Sequence, residues 1–189
     1  MPSYAEIQRS VEAAWRLARG DQAGMAQFDL SVDGFWRSFV AMPLVAPAYA
    51  LVLIDQYAHV GWPEHPWWAT LAEATSFFCG WLAFPIAAVF LTRLLGLSAR
   101  YVPLIIANNW AAVVQIAIYT GVVLVGAILP AELRSLALLM ATLVVLGYQW
   151  FVFRTALGSG GGVAAGLVVI DLLLSMAVSR SLDALFQLA

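Results

Sequence analysis

From Phe35 onward the chain is written as five long apolar stretches separated by short breaks, and no other feature constrains its fold as much. The stretches run about Phe35 to Tyr57, Trp67 to Leu95, Tyr101 to Leu129, Leu133 to Phe153 and Gly162 to Val178. A helix crosses bilayer hydrocarbon with about 20 mostly apolar residues, because it satisfies every backbone N–H and C=O within its own segment. The breaks "HVGWPEHP", "GLSAR", "LPAE" and "RTALGSGGG" carry turn chemistry. Connections this short join antiparallel neighbours. The fold expected is therefore all-α: a polytopic membrane bundle of five transmembrane helices over residues 35–189, preceded by a cytoplasmic amphipathic segment over residues 1–34.

Composition supports lipid as the main solvent. Only 11% of the 189 residues are charged, against about 25% in a soluble domain. So few charges cannot cover a globular surface. A net charge of -2 offers nucleic acid no concentrated basic face. The single cysteine, Cys79, allows neither an intrachain disulfide nor a cysteine metal cluster. The polar opening residues lack the early apolar core of a signal peptide, so the chain is expected to insert by its own spans and keep its N-terminus.

Arginine placement orients the bundle. With the N-terminus inside, Arg9, Arg16, Arg19, Arg37, Arg93, Arg100 and Arg154 are cytoplasmic, and only Arg134 and Arg180 are outside. The expected location is a bacterial inner membrane, N-terminus cytoplasmic and C-terminus outside. Trp62, Trp67 and Trp68 then form an aromatic belt at the outer interface.

Before the first span, Ser3 and Glu6 have capping-box spacing. Tyr4, Ile7, Val11, Ala14, Trp15 and Ala18 recur at helical steps, with Arg9, Arg16 and Arg19 on or beside the other face. This pattern predicts a helix lying along the inner membrane surface, its arginines toward anionic headgroups; packing on the bundle's own cytoplasmic end is the other arrangement. Ser31 is a second helix cap. Pro43, Pro47 and Pro85 are expected to remove backbone hydrogen bonds inside the first two spans.

Polar groups within the spans are the candidate site: Glu73, Asn108, Asn109, Gln115 and Asp171. Asn108 and Gln115 are seven residues apart and share a helix face, whereas Asn109 points about 100° away. An amide facing hydrocarbon unpaired costs several kcal/mol, so all three must meet other helices or a wet cavity. Asp171 lies near the middle of the fifth span, with Ser175 one turn on. It fits either an ionised carboxylate or a neutral acid hydrogen-bonded to an amide. Intramembrane carboxylates of this kind mark functional sites by default.

Other candidates are weaker. Asp55, His59, Glu64 and His65 could ligate a metal, but their spacing matches no metal signature, so neither metal nor cofactor is expected. Gly162 and Gly166 have the spacing that lets membrane helices approach closely, within the bundle or between copies. The run "GGGVAA" follows no strand, which rejects nucleotide binding. No nucleophile–base motif supports an enzyme.

In layout, a cytoplasmic N-terminal segment and five closely connected spans, the chain resembles the Yip1-type membrane proteins. That resemblance implies the five-span fold and carries over no functional residue, because the "DLYGP"-like motif is absent. Two functions are consistent with the sequence. One is a non-enzymatic membrane protein for packing, lipid organisation or assembly, its partners the bilayer and another membrane protein or a second copy of itself. The other is a small-solute or proton-coupled transport component whose polar residues line one cavity.

Overall fold

The computed structural model describes residues 2–187, and they form helices with no strand among them. The order is α1 (Tyr4–Ala18), α2 (Val32–Ser38), α3 (Ala41–Val60), α4 (Pro66–Leu94), α5 (Tyr101–Gly126), α6 (Ala131–Leu157) and α7 (Gly161–Gln187), with short 3₁₀ turns at Gln22–Gln27 and Ser98–Arg100. Five segments are long and apolar enough to cross a membrane. The last two helices run past the ends expected at Phe153 and Val178.

The first span is two helices. α2 begins on Ser31, whose Oγ accepts from the Gly34 N–H at 3.0 Å, and ends at Ser38. α3 then starts at Ala41, which places Pro43 in a first turn where its missing N–H has no helical partner to lose. Of the two prolines expected to break bonds here, only Pro47 is interior, with Pro85 doing the same in α4.

α1 packs on the end of the bundle, the alternative to the surface-lying helix that its aromatic residues suggested. Ser10, Ala13, Ala14 and Leu17 are buried against α5 and α6, and the Tyr148 hydroxyl donates to the Ala14 carbonyl at 2.8 Å. The buried face is the one with small side chains, which let backbones come close. Tyr4, Trp15 and Ala18, assigned to the apolar face from periodicity, are exposed. Ser3 caps the helix by accepting from the Glu6 N–H at 3.2 Å. Glu6 does not return the bond that a capping box requires; it accepts from Arg37 Nε at 2.8 Å, and Arg37 also pairs with Asp29. These charges latch the N-terminal segment to α2.

α5 is the central helix. It packs against α3, α6, α1 and α2, while α7 packs against α4 and α6. The helices thus form a ring in the order α3, α5, α6, α7, α4. Although only residues 61–65 connect them, the backbones of α3 and α4 do not approach closely along their length and only side chains bridge them, which leaves one seam in the ring. Dense packing is confined to the half nearer α1: Phe84 and Ala88, Leu104 to Ala107, Val152 to Leu157, Ala164 and Leu167. Phe84 stacks on Phe153 with centroids 5.0 Å apart. The opposite half is open. Gly162 and Gly166, expected to mediate close approach, face open space; Ala164, Leu167 and Val168 are the buried residues of that helix among those described.

Candidate functional site

The open half of the ring holds a cavity of about 570 Å³ lined from all five long helices. α5 contributes Asn108, Gln115 and Tyr119, α6 Gln149, α7 Asp171, Ser175 and Ser179, α4 Ser76 and α3 Tyr49. Asn108 and Gln115 reach it together because helical periodicity puts them on one face.

Asp171 and Gln149 form its chemical centre. Gln149 Nε2 donates to Asp171 Oδ2 across the α6–α7 contact. Gln149 is buried and Asp171 half-buried, whereas Ser175 and Ser179 are exposed. Along α7 the polar wall therefore runs from a closed floor at Gln149 and Phe84 to a mouth at the end remote from α1. Gln115 Nε2 is buried with no hydrogen-bond partner among the described residues. An unpaired buried amide costs about 1–3 kcal/mol, a cost that an acceptor in the cavity would remove.

The five sequence candidates separate into three groups. Asn108, Gln115 and Asp171 converge on the cavity. Asn109 does not: it is 1% exposed, its Oδ1 accepts from Trp81 Nε1 at 3.1 Å and its Nδ2 donates to Ser38 Oγ at 2.9 Å. It ties α2, α4 and α5 together and serves structure. Glu73 lies in a separate groove at the α3–α4 seam, where its carboxylate accepts from Tyr57 at 2.8 Å and Tyr49 at 3.2 Å. Tyr49 and Phe77, with ring centroids 4.9 Å apart, line both spaces and form the wall between them.

Gln149 was not singled out from sequence. Its signal is a lone amide, "GYQWF", late in an apolar span, and its meaning depended on which residue of α7 faces it. The serines at 175 and 179 continue the Asp171 face at one-turn steps.

No metal group appears among the described residues. Asp55 pairs with Arg134 of α6, and His59 Nδ1 lies 2.8 Å from the Asp55 carbonyl oxygen. Trp62, Trp67 and Trp68 are exposed around this end of the bundle. The chain matches no family model, no curated protein and no solved structure.

Proposed function

We propose that this is a non-enzymatic membrane protein that binds a small polar solute within the bilayer, as a transport component. One observation carries the reading: Asn108, Gln115, Gln149, Asp171 and Ser175 come from three separate helices to line one cavity that is closed at the α1 end and open at the other. Asn109 is capped by neighbours, and Gln149 and Asp171 cap each other, whereas Asn108 and Gln115 face the cavity with no side-chain hydrogen bond among the described residues. A pocket with a few convergent polar groups on apolar walls is the general form of a ligand site. Asp171 supplies a counter-charge for a solute amine or a group that can carry a proton in coupled movement. The assembly reading is less well supported, because it gives no reason for Asn108, Gln115 and Asp171 to converge on one cavity.

The orientation proposed is N-terminus in, within a bacterial inner membrane, so the cavity faces outward. Supporting it, Arg134, one of two arginines then outside, is neutralised by Asp55. The five-span layout also keeps the resemblance to Yip1-type proteins as a proposed kinship of arrangement.

The test uses a membrane-impermeant maleimide on intact cells. The exposed native thiol Cys79 is first replaced by Ala, and Ser175→Cys is introduced at the mouth. Labelling from the outer face, slowed by a particular small polar solute, is the expected result. A thiol at 175 that stays unreactive from both faces defeats the proposal.

A further inference from the structure

The groove at the α3–α4 seam is chemically unlike the central cavity. Its volume is about 460 Å³, within the range of small-ligand sites. Its walls are Leu53, Ile54, Trp62, Phe77 and Phe78, and several of them are exposed on the outer surface of the ring. In a membrane that surface meets lipid, so the groove opens to the bilayer, with Trp62 and Pro63 lining its interfacial end. Midway along its α4 wall sits the one carboxylate of its lining, Glu73.

Glu73 is prepared as an acceptor. Tyr57 donates to Oε1 and Tyr49 to Oε2, so both oxygens are fixed in place while each retains a further lone pair. Among the described residues no Arg or His forms an ion pair with it. Aromatic faces flank it on two sides, Tyr49 with Phe77 at 4.9 Å and Tyr57 with Trp62 at 6.0 Å between centroids. A fixed acceptor carboxylate between aromatic faces, within an apolar slot, is complementary to an organic cation with an apolar body. An anion meets the carboxylate, and a neutral lipid chain leaves it unanswered.

We infer that the α3–α4 groove is a second ligand site, reached from the membrane, for a lipophilic organic cation whose charge rests on Glu73. The seam explains why the chain can hold such a site: the backbones of two helices adjacent in sequence stay apart, and the gap is spanned by tyrosine–carboxylate bonds and the Tyr49–Phe77 ring contact.

Tetraphenylphosphonium and tetraphenylborate have nearly the same shape and opposite charge, so they separate charge recognition from greasiness. Each is titrated against the full chain in phosphatidylcholine nanodiscs, with empty nanodiscs subtracted. The cation should bind saturably, and Glu73→Gln should weaken it by about tenfold, the equivalent of one charge-assisted contact. The borate should show no saturable component. Ala50→Trp fills the groove without touching the hydrogen bonds and should abolish cation binding, which keeps the test valid if Glu73→Gln does not fold. Asp171→Asn should leave cation binding unchanged. Equal binding of both ions, no effect of Glu73→Gln in a folded protein, or loss on Asp171→Asn would overturn the inference. Only the last outcome would place the ion in the central cavity, so the groove and the cavity succeed or fail independently.

Discussion

Asn108 and Asn109 are chemically identical neighbours, and the fold predicts opposite responses when each is replaced by Leu. Asn109 is 1% exposed and makes two hydrogen bonds between helices, to Trp81 and Ser38. Interhelical bonds of this kind contribute about 0.6–2 kcal/mol each. Leucine deletes both and also leaves the Trp81 N–H, half-buried, without an acceptor, a further loss of about 1 kcal/mol. The total expected for Asn109→Leu is a loss of about 2–5 kcal/mol, a large share of the 5–15 kcal/mol typical of a folded domain. Asn108 lines the open cavity. Its replacement should change stability by less than about 0.5 kcal/mol, as for surface positions away from special contacts. Reversible unfolding of the detergent-purified protein by added sodium dodecyl sulfate, followed by tryptophan fluorescence, measures both. If the two variants unfold together, or Asn108→Leu is the weaker protein, the division of this pair into a structural and a solute-facing residue is wrong.

Four further outcomes follow from the same geometry. Gly34→Ala should release the N-terminal segment, since a Cβ there would lie 2.0 Å from the Asp29 carbonyl oxygen; limited proteolysis near Arg16 and Arg19 should accelerate. Arg134→Gln leaves Asp55, only 17% exposed, without its cation and should destabilise the bundle by about 3 kcal/mol in the same unfolding assay. Hydrogen bonding from Ser31, with help from Arg37, holds the Asp29 carboxyl below the usual carboxylate range. The stability it contributes is present above the unfolded value of about 3.9 and is lost as pH falls below it, so proteolysis of the N-terminal segment should rise in that window and lose this dependence in Asp29→Asn. A solute that stabilises the purified protein should do so less in Gln149→Leu, in which the Asp171 carboxyl loses its amide partner.

The number of spans, most of their bounds and the helical class were legible in the sequence, because length and apolarity are all that lipid requires of a crossing segment; the break between α2 and α3 and the extension of α7 to Gln187 were not. Helical spacing alone also separated Asn109 from Asn108 and Gln115 by face. It left open which face met a protein neighbour and which a cavity, since that depends on the residues brought opposite from other helices. Trp81 and Ser38 made Asn109 structural; Gln149 gave Asp171 its partner; the α3–α4 seam took Glu73 out of the central group. The placement of α1 was misread for a related reason. Its aromatic residues suggested a membrane-facing side, yet its small residues fitted the bundle end, and only the shape of that end chose between them. What the amino acids determined by themselves was the solvent each segment must have. Which polar side chains share a pocket was decided by the order of helices around the ring, because contacts between distant segments are set by packing and not by local periodicity.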